Sequence, residues 1–233
     1  MLEELEGFLP VDKPAGLAFS SVVKAVKRKF NLVKVGHGGS LDATASGIFV
    51  LIFGDATKFT DEVMGADRTY TGTLTLGLKT STHDIHGEKL AEKTVDSIET
   101  SALERALGEC RGDIFQTEPR FSTIRKEGTA GYEIADTGDH KPFLAHVYRF
   151  SVGSLDDPAS VPFELKATKG VLPRTLVNDF GEALGTGAAL KSLRRLSIGN
   201  FNVDAAIPFD RLLETEPHEL PSLVLPVAKA LAR

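Results

Sequence analysis

The sequence has a single cysteine, Cys110, so an intrachain disulfide and a multi-thiolate metal site are both excluded. No run of 18 or more apolar residues occurs, which excludes a helix that crosses a membrane. The first residues are acidic and lack the basic and apolar regions of a secretory signal. These absences favour a protein of the reducing cytoplasm that does not interact with a membrane.

The sequence also lacks an excess of positive charge. Its formal net charge is −5, whereas nucleic-acid-binding domains are usually basic. Phosphate binding, however, requires a local basic surface rather than a basic total. Each basic cluster is either a solvated face or part of a nucleic-acid-binding surface, and charge alone does not separate the two. The clusters are Lys24, Lys27, Arg28, Lys29 and Lys34; Arg120, Arg125 and Lys126; and Arg194 with Arg195.

Hydrophobic periodicity predicts several strands and helices. A continuous apolar run at 47–53 is typical of a buried strand, and strict alternation predicts strands at 69–78, 145–152 and 162–169. Helical spacing predicts a helix that begins at a Ser20-Ser21 cap, and two more over 94–107 and 175–184, which end at Gly108 and Gly185.

The predicted elements do not repeat as strand–helix units, which indicates an α+β fold with a central, mainly antiparallel sheet flanked by helices. We expect one domain over residues 1–233. The stretch 112–146 is rich in turn residues and is basic near its start. It is either an inserted lobe that closes over a substrate or a long surface connection.

The most informative segment, residues 36–47, reads GHGGSLDATASG and surrounds one carboxylate, Asp42, with small residues. Glycines let the backbone approach a ligand closely. Functional groups often lie where a loop joins a rigid element, and a predicted buried strand follows here. By itself the segment is equally consistent with a catalytic Asp42 and with a tight turn that Asp42 caps.

This segment resembles the signature of the TruB family of pseudouridine synthases, G-H-x-G-x-L-D-P-x-A-[ST]-G, with Ala43 in place of proline. Six further segments resemble motifs of the same family and occur in the same order. They are VDKPAG at 11–16, GDATK at 54–58, Tyr70 with Leu76-Gly77 and TSTHD at 80–84, PRFSTIRKEG at 119–128 with Tyr132, KGVLPRT at 169–175, and the run from Asp179 to Leu196.

The resemblance implies the pseudouridine synthase fold, with 112–146 as an inserted thumb lobe. It implies that the protein isomerises a T-loop uridine (position 55) of tRNA, without a cofactor or metal. Asp42 would be the nucleophile, paired with Arg174, and Tyr70 would stack on the flipped base. The remaining candidates, for RNA binding or base flipping, are His37, Asp84, Lys13, Arg125, Lys126 and Leu172.

Without the resemblance, Tyr70 would be a core residue, Arg174 a surface residue at a helix start, and His37 a local hydrogen-bonding group. His83 and His86 have the spacing of a metal pair, but no further ligand is near them in the sequence. These residue types alone therefore do not assign a function.

The departures from the family pattern bear on the substrate. Leu172 replaces an active-site tyrosine, Ser81 replaces an aspartate, and Arg125 replaces a lysine. We expect no C-terminal PUA domain, the T arm of tRNA as the partner, and no obligate protein partner. Two alternatives stay open: a guide-dependent synthase subunit, and a non-catalytic RNA-binding or RNA-folding protein on the same scaffold.

Overall fold

A computed structural model describes residues 5–124, 133–138 and 140–231 of the chain. The chain divides into two compact units: the first contains residues 1–68 and 194–233, and the second contains residues 69–193. Among the described residues, no helix is both long and apolar enough to cross a membrane.

The strands and helices alternate irregularly along the chain, as expected for an α+β protein. The strands are β1 (Gly7–Lys13), β2 (Val35–His37), β3 (Ser46–Phe53), β4 (Arg68–Leu76), β5 (Leu78–Thr80), β6 (Lys89–Glu92), β7 (Gly112–Gln116), β8 (Phe121–Ile124), β9 (Glu133–Asp136), β10 (Phe143–Val152), β11 (Val161–Ala167), β12 (Ala188–Ile198), β13 (Phe201–Asn202) and β14 (Ile207–Pro208). The α-helices are α1 (Phe19–Phe30), α2 (Thr60–Gly65), α3 (Thr100–Glu109), α4 (Pro173–Leu184), α5 (Phe209–Glu214), α6 (Leu220–Leu223) and α7 (Val227–Ala230).

The first unit is built around β3, which is buried on both faces. β3 pairs antiparallel with β1 and β2, and parallel with the last residues of β12. Phe49, Leu51 and Phe53 pack in one core cluster with α1 and α5. Ile48, Val50 and Ile52 pack in the other, which includes α2 and α7. The continuous apolar run at 47–53 is explained by this double burial, and the predicted buried strand is confirmed.

The second unit contains the strand order β12–β4–β11–β10–β7, in which β10 pairs antiparallel with both neighbours. Its core includes Phe150, which lies 6.0 Å from Phe163 of β11 and 5.5 Å from Phe180 of α4, measured between ring centroids. Two short hairpins, β5–β6 and β8–β9, lie outside this sheet. The predicted α+β class with mainly antiparallel strands is confirmed.

The termini of several predicted elements differ from the structure. The predicted Ser20-Ser21 cap is wrong, because α1 begins at Phe19 after Ala18 and no side chain caps it. The strand predicted over 69–78 ends at Leu76, because Gly77 takes a φ of +78°, which only glycine adopts readily. The end of α4 at Gly185 is confirmed.

The helix predicted over 94–107 is the largest error, because α3 runs from Thr100 to Glu109. Val95 lies outside the helix and packs near Gly77, and the N–H of Lys93 donates to the carbonyl of Gly77 over 2.7 Å. These tertiary contacts keep the segment before α3 out of the helix, although its apolar residues have helical spacing. Gly108 lies inside the helix rather than after it, since the cap residue is Cys110.

Candidate active site

Asp42 lies in the Asp42 loop, residues 38–45, which joins β2 to β3. Asp42 is partly buried, and its backbone carbonyl accepts a hydrogen bond from the backbone N–H of Ala45 over 3.1 Å. The carbonyl of Ala43 accepts another from the N–H of Gly16 over 2.7 Å, which connects the loop to the segment after β1. The loop is therefore held by backbone bonds on the C-terminal side of Asp42.

Lys13, at the end of β1, holds the same loop from inside the protein. Its side chain is fully buried, and its ammonium donates to the carbonyls of Pro14, Leu17 and Ala45 over 2.9, 2.8 and 2.6 Å. Burial lowers the pKa of Lys13 to about 8, although the negative charge of Asp42 opposes this shift. Lys13 is thus a buried cation that interacts electrostatically with Asp42.

Arg195, in β12, is a second buried cation near this loop, with 1% of its surface exposed. Its guanidinium donates to the carbonyl of Ile48 over 2.9 Å and to the carbonyl of Ser40 over 2.8 Å. Arg194, beside it, makes a bidentate pair with Asp12 over 3.0 and 2.7 Å. Arg194 and Arg195 therefore do not form one exposed basic cluster, because Arg195 is directed into the protein.

The sequence analysis did not predict the burial of Arg195, and the signal that could have indicated it is Gly47. Arg195 pairs in register with Gly47, and a β-carbon on Gly47 would overlap the backbone carbonyl of Arg195. Gly47 also takes a φ of +105°. Gly47, five residues after Asp42, therefore marks a close approach of β3 to β12.

His37, at the end of β2, lies between two phenylalanines of the first unit. Its ring is 5.1 Å from that of Phe19 and 5.6 Å from that of Phe49, between centroids. Its Nδ1 accepts a hydrogen bond from the N–H of Gly39 over 3.3 Å. Burial lowers the pKa of His37 from its usual value, so the neutral form dominates at neutral pH.

Tyr70 and Arg174 both lie in the second unit. Tyr70 is 5% exposed on the face of β4 that also carries Leu74 and Leu76, both buried. Arg174 is the second residue of α4. Its guanidinium donates to the carbonyl of Thr82 over 3.2 Å and to the hydroxyl of Ser122 over 3.3 Å. Arg174 therefore connects the start of α4 with two other segments of its unit.

Asp84 lies in the Asp84 loop, residues 81–88, between β5 and β6. Its carboxylate is 2% exposed and accepts hydrogen bonds from the hydroxyl of Thr82 over 2.8 Å and the N–H of His86 over 2.9 Å. His83, beside it, has a φ of +61°. Burial, followed by the charge of Arg174, lowers the pKa of His83 to about 4.

Leu172, the residue that precedes α4, is held by a side chain that sequence reasoning did not consider. Its N–H donates to the side-chain oxygen of Gln116 over 2.9 Å, and its carbonyl accepts from the side-chain nitrogen of Gln116 over 3.3 Å. Gln116 is 1% exposed. Its position in β7 gives no local signal for this role, since the two residues lie 56 positions apart.

The described residues bring the candidate groups together in two sets. The first unit holds Asp42 with Lys13, and His37 at the N-terminal end of the same loop. The second holds Arg174 close to the Asp84 loop through the carbonyl of Thr82. Arg125 and Lys126 lie outside the described residues.

Two family models together match most of the chain. Residues 27–172 match the model described as TruB family pseudouridylate synthase (N terminal domain). Residues 174–232 match the model described as tRNA pseudouridylate synthase B C-terminal domain. The first match alone covers more than half of the sequence.

Similar proteins agree with these models. The chain is 36% identical to the tRNA pseudouridine synthase B of Cupriavidus pinatubonensis, over 99% of this chain and 74% of that protein. It is also 36% identical to the tRNA pseudouridine synthase B of Burkholderia pseudomallei, over 98% of this chain and 76% of that protein.

Among solved structures, a chain of a Cbf5-Nop10-Gar1 complex superposes with a TM-score of 0.72 and 24% identity, over 97% of this chain and 62% of that one. An archaeal box H/ACA sRNP Nop10-Cbf5 complex gives a TM-score of 0.69 and 23% identity, over 99% and 62%. At this identity the likeness concerns the fold. Taken with the two family models and the 36% identical relatives, it leads to one assignment: the chain belongs to the TruB family of pseudouridine synthases, which are isomerases.

Proposed function

We propose that this protein converts a uridine in the T loop of tRNA to pseudouridine, with Asp42 as the catalytic carboxylate. The substrate is supported by the relatives named tRNA pseudouridine synthase B, of which the chain covers about three quarters. One structural observation carries the proposal for the residue. Asp42 is partly exposed, and the buried ammonium of Lys13 binds a carbonyl of its loop and interacts electrostatically with Asp42.

The reaction exchanges one glycosidic bond for another and requires no redox step. The bond between C1′ and N1 of uridine breaks, the base turns, and a bond from C1′ to C5 forms. The proton on C5 is lost and N1 gains a proton, so atoms and charge balance. An ionised carboxylate can attack or stabilise C1′ while the base is detached. The buried ammonium of Lys13 lies close enough to interact electrostatically with Asp42, and it holds the loop through the carbonyl of Ala45.

We assign supporting roles to the other candidates within this proposal. Tyr70 stacks on the extruded base, and His37 occupies the space that the base leaves or guides it out. Arg174 supplies a fixed positive charge, and Asp84 orders the loop to which Arg174 donates. We assign Lys13 to holding the Asp42 loop from inside, since its ammonium donates to three carbonyls.

The proposal also covers the partner and the compartment. The ends of the expected lobe, residues 112–116 and 143–146, are strands of the central sheet, so we assign only the segment between them, residues 117–142, as a thumb that grips the T arm, with Arg120 among its cations. Cys110 is buried, and burial raises the pKa of its thiol to about 12, so it reacts slowly with oxidants. A lone unreactive thiol agrees with a protein of the reducing cytoplasm.

The test is incubation of the purified protein with an unmodified tRNA transcript, followed by mapping of pseudouridine by carbodiimide-stop sequencing. We expect one new stop, in the T loop, and none with Asp42→Asn. An isolated T-arm hairpin is the second substrate and should react nearly as well as the whole tRNA. A protein that leaves both RNAs unmodified, or that modifies only a duplex formed with a guide RNA, contradicts the proposal.

A further inference from the structure

We infer that Arg195 is a positioning residue for Asp42: its buried guanidinium fixes the Asp42 loop in the conformation in which the carboxylate reacts. The inference rests on the proposed function of Asp42 and adds a residue that the reaction itself does not touch. Its basis is the pair of carbonyls that Arg195 binds, those of Ser40 and Ile48. These residues lie on opposite sides of Asp42 in the sequence, two positions before it and six after it.

The geometry suits a guanidinium better than any other side chain. Arginine presents several N–H donors in one rigid plane, so a single group can bind two carbonyls at a fixed separation. Nε of Arg195 binds the carbonyl in β3, and one terminal nitrogen binds the carbonyl in the loop. The Asp42 loop is thereby connected to the strand that follows it by a rigid bridge of 2.8 and 2.9 Å hydrogen bonds.

Backbone packing fixes the position of Arg195 itself. β12 and β3 run parallel here, with Arg194 opposite Ser46 and Arg195 opposite Gly47. Gly47 has no β-carbon, so the two backbones approach more closely than any other residue would permit. Movement of Arg195 relative to β3 is therefore restricted. The carbonyl of Ser40, which its guanidinium binds, is held in place with it.

Lys13 completes the restraint from the other side of the loop. Its ammonium binds the carbonyl of Ala45 over 2.6 Å, three residues after Asp42, while Arg195 binds that of Ser40, two residues before it. Both side chains are buried, at 0% and 1% exposure. Burying a cation costs free energy that an apolar side chain of similar size avoids. Two such cations therefore hold the loop on both sides of Asp42.

The test compares Arg195→Lys and Arg195→Gln with wild type in single-turnover assays, with enzyme in excess over tRNA. Lysine keeps the charge but not the planar fork, and glutamine keeps a planar donor without the charge. Both should lower the single-turnover rate constant roughly 10- to 100-fold, since a displacement of about 1 Å can cost that much. The dissociation constant for tRNA should change less than about threefold, because Arg195 is buried and cannot contact phosphate.

An active-site titration, beside the rate constant, separates positioning from a merely structural role. A variant that is only partly folded has fewer active sites but keeps the wild-type rate constant at saturating enzyme, and this outcome overturns the inference. So does a variant that folds and reacts like wild type. Arg194→Lys is the matched control in the same strand and should keep the wild-type rate constant, because its ion pair with Asp12 is partly exposed.

A measurement on the wild type covers the case in which neither variant folds. Hydrogen exchange of residues 38–45 should be slow, like that of β3, if the loop is fixed as described. Exchange at the rate of a free loop overturns the inference without any variant. Failure of the proposed function is recognised separately, since wild-type protein would then leave the tRNA unmodified.

Discussion

The Asp42 loop of the first unit and the Asp84 loop of the second each carry an aspartate, but the two aspartates differ in how far their own carboxylates hold the loop. In the Asp42 loop, the buried cations Lys13 and Arg195 donate to backbone carbonyls, and Asp42 stays partly exposed. In the Asp84 loop, the carboxylate itself is the acceptor for the loop's own hydroxyl and N–H groups, and it is 2% exposed.

The comparison distinguishes a loop that presents a reactive carboxylate from a loop whose carboxylate has a structural role. A carboxylate that accepts hydrogen bonds from its own loop stabilises that loop and is shielded from a substrate. A loop that is held through its carbonyls keeps its conformation while the carboxylate remains accessible. We therefore expect substitution of Asp42 to affect chemistry and substitution of Asp84 to affect stability.

The largest expected effect is on turnover in Asp42→Asn. The amide has nearly the same shape but carries no negative charge, so the single-turnover rate should fall below a few per cent of wild type. Binding of tRNA should stay within a few-fold, because phosphate contacts elsewhere supply most of the affinity. Quench-flow or manual single-turnover assays with labelled tRNA measure the first quantity, and filter binding measures the second. A rate above a few per cent removes Asp42 from the role of nucleophile.

Asp84→Asn should instead lower the free energy of unfolding by about 1–3 kcal/mol, because two hydrogen bonds to a buried charge are weakened. Urea unfolding followed by circular dichroism measures this change. Asp55→Asn is the matched control, since Asp55 is an exposed acid paired with Lys34 and Lys58, and its loss should change the free energy of unfolding much less than the loss of Asp84. Equal stabilities of the two variants would remove the contrast between the loops.

His83→Asn tests the Asp84 loop through its dependence on pH. His83 has a pKa of about 4 in the folded protein and about 6.5 when unfolded. Above pH 6.5 it is neutral in both states, so it gives no pH dependence. As the pH falls from 6.5 towards 4, only the unfolded state takes up the proton, so the folded wild type loses stability.

The variant lacks this titration, and asparagine tolerates the positive φ of the position. Between pH 7 and pH 5, wild type should therefore lose about 2 kcal/mol more unfolding free energy than His83→Asn, by linkage. Urea unfolding at the two pH values measures the difference. Parallel losses in the two proteins would show that His83 is not buried in its neutral form.

The smallest expected effect concerns the basic face of α1, in the first unit. Removing Lys27 and Arg28 together should reduce the slope of log K against log salt for tRNA binding, by up to about 0.9 for each lost phosphate contact. Lys58→Ala is the control, because Lys58 is paired with Asp55. Equal slopes in the double variant and the control would mean that the α1 cluster is only a solvated face.

Local patterns predicted those elements whose burial follows from their own apolar residues. The continuous apolar run of β3 matches burial of both faces, and the alternation of β4 matches burial of one face. The start of α3 could not be predicted this way. It depends on a hydrogen bond between Lys93 and Gly77, so the relevant contact lies outside the helical pattern.

The sequence by itself determined the family, the α+β class and the loop that carries Asp42, because motif order and periodicity are properties of neighbouring residues. Only the tertiary structure decided which cations are buried. Arg195 reaches its acceptors across 147 and 155 positions, and Lys13 reaches Ala45 across 32. A basic residue looks the same in the sequence whether it faces solvent or a carbonyl. Its environment is set by strands that meet only after folding.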